Sequence, residues 1–223
     1  MPSTLAFDVY GTLVDTAGVT TELARHFGTR APGFAALWRD KQLEYSFRRG
    51  LMRNYCTFSV CTRQALDYCC QALGQRLDES DKQALMAAYA RLPAFPEVPE
   101  ALERFAGSGH RLFAFSNGAD ADVRHVLQAA GIATRFEGVV SVDPIRSFKP
   151  DPAVYAHFLR TAAAPAAETW LISGNPFDII GARSAGFRAA WVKRRSDTVF
   201  DPWELTPTLE APDLAALAAH FCL

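Results

Sequence analysis

Ser3-Thr-Leu-Ala-Phe-Asp8-Val-Tyr-Gly-Thr-Leu13 is the stretch on which the fold turns. A short apolar run, residues 5–7, ends in Asp8, and Gly11 then breaks it. That is the pattern of a buried strand running into a turn. Outward from it, residues 19–92 change character: helical periodicity dominates and β-branched clusters are few. From Phe95 onward short apolar runs alternate with helical stretches. Strands are predicted at 112–116, 138–142, 169–173 and 188–192. Helices are predicted at 97–108, 120–130, 153–163, 178–185 and 213–220. Strands alternating with helices imply an α/β fold with a doubly wound, Rossmann-like parallel sheet, joined by right-handed crossovers. The helical block after the first strand reads as a cap subdomain inserted into that core. The expected division is 1–16 and 93–223 for the core and 17–92 for the cap.

Composition narrows the function classes. The chain has 223 residues, 49% hydrophobic and 21% charged, enough to bury a core and too apolar for disorder. A formal net charge of -1 gives no broad attraction to nucleic acid or to an anionic membrane. The N-terminus lacks a basic start, and Asp8 interrupts its apolar run, so no signal peptide is read. No apolar stretch approaches the ~20 residues of a membrane span. A cytoplasmic chain with reduced thiols is expected. Its five cysteines are Cys56, Cys61, Cys69, Cys70 and Cys222, an odd count without a C-x-x-C spacing or a zinc pattern. No catalytic histidine is assigned among His26, His110, His125, His157 and His220. Lys193-Arg194-Arg195 reads as a solvated strand end.

Four polar clusters fall at the ends of predicted strands: Asp8, Tyr10, Gly11 and Thr12; Ser116, Asn117 and Gly118; Lys149 before Pro150-Asp-Pro152; and Ser173, Gly174, Asn175 and Asp178. Singly, each reads as an ordinary turn, helix cap or solvated loop. Together they gain meaning, because this fold brings the carboxyl ends of its strands to one crevice.

In that order the clusters resemble the motifs of the haloacid dehalogenase superfamily. Asp8-Val-Tyr10-Gly-Thr12 resembles the first, Ser116 the second, Lys149 the third and Ser173-Gly-Asn-Pro-Phe-Asp178 the fourth. The match spans the chain, with an insert of cap size in the expected place. Phosphatases of the superfamily carry one aspartate two residues after the nucleophile and another at the start of the fourth motif, and these hold magnesium. Tyr10 and Gly174 stand there instead, and a hard cation wants carboxylate oxygens. Asp-x-Tyr-Gly-Thr is similar to the metal-free 2-haloacid dehalogenases, so no metal and no cofactor are expected.

The resemblance implies a nucleophilic Asp8 that displaces halide from a short 2-haloalkanoic acid, forming an ester that water hydrolyses. An L-2-haloacid would give a D-2-hydroxyacid. Lys149 would keep Asp8 ionised, and Thr12 and Ser173 would orient its oxygens. Asn175 and Asp178 would position and deprotonate water. Ser116 would bind the substrate carboxylate. Trp38-Arg39-x-Lys-Gln-Leu-Glu-Tyr45 looks much like the dehalogenase cap helix. Arg39 therefore becomes the halide ligand, completed by Asn117 and Phe177. On a helix Arg39, Leu43 and Phe47 share one face. Tyr10, Leu43, Phe58 and Phe177 would wall the pocket, and Tyr155, which resembles a family tyrosine near the lysine, would join the substrate-binding residues. Pro176 and Asp40 depart from the family pattern and put the substrate range in question. Partners implied are the small 2-haloacid and its halide, with a homodimer as one possible assembly. Two other readings stay open: a phosphatase with an atypical magnesium site, and a non-catalytic carboxylate-binding protein.

Overall fold

In the computed structural model, which describes residues 2–221, the opening apolar run forms β1 (Thr4–Phe7), buried along its whole length. Four helices follow: α1 (Thr20–Phe27), α2 (Ala31–Leu51), α3 (Phe58–Ala72) and α4 (Glu79–Tyr89). The chain then alternates through α5 (Val98–Gly107), β2 (Arg111–Ser116), α6 (Asp120–Ala129), β3 (Gly138–Ser141) and α7 (Pro152–Ala162). It ends with β4 (Thr169–Ser173), α8 (Pro176–Ser184), β5 (Arg188–Val192), β6 (Leu209–Ala211) and α9 (Leu214–Phe221). The expected strands and helices lie within a residue or two of these bounds, the usual scatter at element ends. β6 was not anticipated. Its three residues at the sheet edge, of which Ala211 alone is buried, are too few to carry a period.

Among the described residues the strands form one sheet, in the order β3-β2-β1-β4-β5-β6, with every pair parallel. β1 is flanked by β2 and β4, with Phe7 in register with Ala114 and Ile172. The chain winds outward from β1 through β2 to β3, then crosses back and winds the other way from β4. The winding reverses beside β1, and in open parallel sheets that is where the strand ends leave a crevice.

Helices α1 to α4, which follow β1, form a helical cap region, whereas α5 packs on α9 and β2. The longest cap element, α2, buries Phe34, Trp38, Gln42 and Ser46, a stripe at i, i+4 spacing, and packs mainly on α3. The next stripe round the helix is Arg39, Leu43 and Phe47, half-buried and turned to the core. Cys61, Cys69 and Cys70 are packed inside the cap, and Cys56 is half-buried; none of these four is bridged. Burial pushes the Cys61 and Cys69 thiols up to about 12, so neither is a ready nucleophile. Cys222 lies outside the described residues. No helix among the described residues is long and apolar enough to cross a membrane.

Candidate active site

Asp8 leaves the end of β1 just before the chain turns back on itself. The amides of Thr12, Leu13 and Val14 all donate to the Val9 carbonyl, and Gly11 takes a positive φ of 81° that suits glycine. The turn brings Thr12 back over Asp8, and its hydroxyl donates to Asp8 Oδ2 at 2.7 Å. Gly174 N in turn donates to Thr12 Oγ1 at 2.8 Å, tying the ends of β1 and β4 together. From the β4 side Asn175 Nδ2 donates to Asp8 Oδ2 at 2.7 Å, and Ser173 Oγ lies farther off at 3.4 Å. The two Asp8 oxygens are therefore unequal. Oδ2 is surrounded by donors, whereas among the described residues Oδ1 meets only Lys149 Nζ, at 3.2 Å.

Lys149 is a fully buried ammonium with each proton assigned. Besides Asp8 it donates to Asp178 Oδ2 at 2.8 Å and to the Phe115 carbonyl at 2.8 Å. Its nitrogen also lies 4.2 Å from the centre of the Phe115 ring. Burial works against the charge, but Asp178 and Asp8 outweigh it and hold the lysine above its ordinary value. Asp178 is also wholly buried, on the first turn of α8. Burial pushes its carboxyl above the ordinary aspartate value and Asp8 adds to that, while Lys149 and the Tyr155 hydroxyl pull the other way. Tyr155 donates to Asp178 Oδ1 at 2.8 Å, and its own hydroxyl is pushed up by burial and by Asp178. This corrects the expectation of Tyr155 as a substrate-binding residue: it is fully buried behind Asp178 and supports that carboxylate.

Pro176 proves compatible with this arrangement. It occupies the first turn of α8 directly after the cap residue Asn175, where a backbone N–H has no helical partner to lose. It also keeps Asn175 extended, at φ -99° and ψ 116°. The Asn175 side chain does not cap its own helix. Its Nδ2 reaches Asp8 and the Tyr10 carbonyl instead, the latter at 3.1 Å.

Across the cleft, Arg39 projects from α2. Its Nη2 lies 3.3 Å from the Tyr10 carbonyl and 3.4 Å from Asn175 Oδ1, so one guanidinium connects cap and core. Phe47, two turns along the same face, meets Phe177 edge-on at 5.0 Å. Phe58 tilts against Tyr10 at 6.0 Å and against Phe148 at 6.1 Å. Leu43 lies between Arg39 and Phe47 on that stripe and is packed against the core. Asp40 faces solvent, while the neighbouring Lys41 pairs with Glu44. Burial pushes the Tyr10 hydroxyl up, so it remains neutral.

The second cluster lies beside Lys149. Asn117 Oδ1 accepts from Lys149 N at 2.8 Å, which orients the amide. Ser116 is buried, and its oxygen accepts from Gly118 N at 3.1 Å. Among the described residues no acceptor takes the Ser116 hydroxyl proton. Asp8, Thr12, Ser173, Asn175, Lys149, Asp178 and Tyr155 thus form one bonded cluster, with Arg39 at its cap side. None of the five histidines is bonded to it.

Several participants carried no assigned role in the sequence reading. Gln42 accepts from Arg39 Nη1 at 2.7 Å. Its position three residues after Arg39, in line with Phe34 and Trp38, was the available signal: an amide in an apolar stripe needs partners. Arg194 corrects the solvated reading of the basic run. It is half-buried, it bonds Glu97 and the Thr12 carbonyl, and it lies over the Phe95 ring at 3.8 Å, bracing the turn after Asp8.

The donor set does not suit a divalent cation, which wants several carboxylate oxygens. Tyr10 and Gly174 hold the two positions where further acids would be needed. A Cβ on Gly174 would fall well inside contact distance of the Gly11 carbonyl oxygen, so the backbone leaves no room for an aspartate. Lys149 already bridges Asp8 and Asp178. Among the described residues no group of three or more His, Cys, Asp or Glu side chains is arranged to hold a metal ion.

A family model described as haloacid dehalogenase-like hydrolase matches residues 2–186. The chain is 36% identical over 217 residues to an (S)-2-haloacid dehalogenase of Pseudomonas sp. (strain YL), which spans 97% of this chain and 93% of that protein. It is 34% identical over 213 residues to haloacetate dehalogenase H-2 of Moraxella sp. (strain B), spanning 96% and 95%. A solved structure of the L-2-haloacid dehalogenase from Xanthobacter autotrophicus, with chloropropionic acid covalently bound, superposes with a TM-score of 0.91 at 32% identity. It covers 99% of this chain and 98% of that one.

Proposed function

Because this chain belongs to the haloacid dehalogenase-like hydrolases, we propose that it is a metal-independent dehalogenase that converts short L-2-haloalkanoic acids to D-2-hydroxyacids and halide through an ester on Asp8. Hydrolysis of carbon–halogen bonds is the activity of its named relatives. The observation that carries the metal-free reading is Lys149: its ammonium bridges Asp8 and Asp178, while Tyr10 and Gly174 supply no carboxylate.

The unequal oxygens of Asp8 give the first step. Oδ2 is occupied by Thr12 and Asn175, so Oδ1 is the freer nucleophile. It attacks the carbon bearing halogen from the rear, the carbon–halogen bond breaks and halide leaves, inverting the carbon. Ser116, with the loop that follows it, receives the substrate carboxylate. Arg39, Asn117 and Phe177 receive the halide. Tyr10, Leu43 and Phe58 enclose the alkyl group.

The same donors serve the second step. Water attacks Asp8 Cγ and yields its proton to Asp178, whose burial-raised carboxyl makes it a stronger base while ionised. Negative charge then builds on Oδ2, where Thr12 and Asn175 already sit at 2.7 Å with Ser173 behind them. That is oxyanion stabilisation by donors in place before reaction. The Cγ–Oδ1 bond breaks, Lys149 protonates the departing alkoxide, and Asp178 returns its proton to Lys149 across their 2.8 Å bond. Oδ1 leaves in the product, water oxygen replaces it in Asp8, and the second proton of that water is released to solvent, which restores the Asp8 carboxylate.

Residues 17–92 act as the cap in this reading, with 1–16 and 93–223 as the core. The free thiols suit a cytoplasmic enzyme. A homodimer is part of the proposal, and sedimentation tests it. The deciding experiment measures halide release from L- and D-2-chloropropionate, chloroacetate and fluoroacetate, with EDTA and with magnesium. Release from the L isomer that ignores EDTA supports the reading; phosphatase activity that requires magnesium overturns it. A single turnover in 18O water should label Asp8 rather than the hydroxyacid.

A further inference from the structure

Gln42 lies in the cap, outside the Asp8 cluster, yet it is fully buried and every polar atom of its side chain is engaged. Its Oε1 accepts from Arg39 Nη1 at 2.7 Å and from the Tyr89 hydroxyl at 2.9 Å. Its Nε2 donates to Thr62 Oγ1 at 2.5 Å, and Thr62 passes its own proton to the Phe58 carbonyl at 2.9 Å. The directions are forced. Arg39 is only a donor, so the amide must turn its oxygen there and its nitrogen to Thr62. Three cap helices, α2, α3 and α4, thus converge on one amide whose oxygen grips one nitrogen of Arg39.

The packing around this amide is equally specific. Trp38 Nε1 donates to the Thr62 carbonyl at 2.8 Å, fixing α2 against α3. The Tyr89 ring stacks on Tyr10 at 5.9 Å and tilts on Trp38 at 5.4 Å. A buried amide has no stabilising role by itself, and leaving it unpaired is costly. Core stability alone would be served as well by leucine in the apolar stripe of Phe34 and Trp38. What the amide adds is the direction of Arg39. With Nη1 held by Gln42, Nη2 is left facing the Tyr10 carbonyl and Asn175, at the longer distances of 3.3 and 3.4 Å.

We propose that Gln42, clamped by Tyr89 and Thr62, is a positioning residue that aims the Arg39 guanidinium at the departing halide. The inference rests on the dehalogenase reading above and names the device that sets the halide-facing side of that site. It predicts a dependence on leaving group. Chloride departs from carbon less readily than bromide, so it relies more on a correctly aimed cation.

The test compares Gln42→Leu, Gln42→Glu and Tyr89→Phe with the unmodified enzyme on L-2-chloropropionate and L-2-bromopropionate. The readout is kcat/KM, which reports the steps up to halide departure, together with thermal unfolding. Gln42→Leu should lower kcat/KM on the chloro substrate by about 100-fold and on the bromo substrate by about 10-fold, the scale of a misaimed group. Gln42→Glu keeps an acceptor for both Arg39 and Tyr89 and should recover part of the loss. Tyr89→Phe, a near-isosteric change, should shift the bromo-to-chloro ratio the same way by less. Equal losses on both halides, or an unchanged ratio in the folded Tyr89→Phe enzyme together with no recovery in Gln42→Glu, overturns the positioning role while leaving the dehalogenase reading intact. An unmodified enzyme that releases neither halide overturns both.

Discussion

The two walls of the cleft are built on different principles. On the core side Asp8, Lys149 and Asp178 are formal charges removed from water and held by close bonds, with Lys149 pairing at 3.2 and 2.8 Å and Thr12 at 2.7 Å. On the cap side a neutral amide, itself held by Tyr89 and Thr62, grips one guanidinium, which reaches the core only at 3.3 and 3.4 Å. Buried charges depend on each other, because removing one leaves the others unpaired in a poor solvent for ions. The cap contact is looser and half-exposed. The core wall therefore couples chemistry to stability, whereas the cap wall affects chemistry with little effect on stability. That suits a cleft that must admit an anion and release two products.

The largest expected effect is on the core wall. Asp8→Asn should lower halide release by about 10,000-fold or more, as losing a nucleophile does; ion chromatography reads this directly. Retention of substantial turnover would move the nucleophile elsewhere. Lys149→Ala should also abolish turnover, and in addition reduce folding stability by about 3–5 kcal/mol, since two buried carboxylates lose their cation. A denaturant titration checks this, and an unchanged midpoint would contradict the coupling described for the core wall.

Arg39→Ala sharpens the contrast from the cap side. It should lower kcat by about 100-fold, the scale of one lost charge-stabilising donor, yet change stability by no more than about 1 kcal/mol. A large stability loss would mean that the two walls are not energetically distinct.

The smallest expected effect concerns pH. Burial raises the Asp178 carboxyl, so the folded protein binds a proton there more readily than the unfolded chain. This group's contribution to stability is therefore full below the ordinary aspartate range and falls as pH rises through the raised value. Activity has the opposite sense, since the base must be ionised: turnover should fail as pH drops through that raised value. Tyr155 opposes the rise through its hydrogen bond. Tyr155→Phe should move the acid limb of the pH–rate profile upward, and a limb that moves downward would break the assignment. Lys149 is raised by its carboxylates, so its stabilisation persists through neutral pH and is lost only above the ordinary lysine range.

Much of this was readable along the chain. Thr169–Ser173 and Arg188–Val192 were located to the residue because fully buried parallel strands are short apolar runs with polar ends. The strand-end clusters were readable because a doubly wound sheet has only one place to bring them. The chain could not tell Arg194 from its solvated neighbours: whether this cation is drawn in from solvent depends on Glu97, 97 residues away. Nor could it assign Tyr155, whose family likeness suggested the pocket while its hydroxyl turned inward to Asp178.

The sequence by itself determined the order of the elements, the residues at the strand ends and the missing carboxylates at Tyr10 and Gly174, since these follow from local pattern and composition. Only the tertiary structure decided which oxygen of Asp8 is the less engaged, that Lys149 bridges two aspartates, and that Gln42 holds Arg39. The physical reason is range: hydrogen bonds act over about 3 Å, whereas Lys149 and Asp8 are 141 residues apart in the chain and meet only once the sheet has formed.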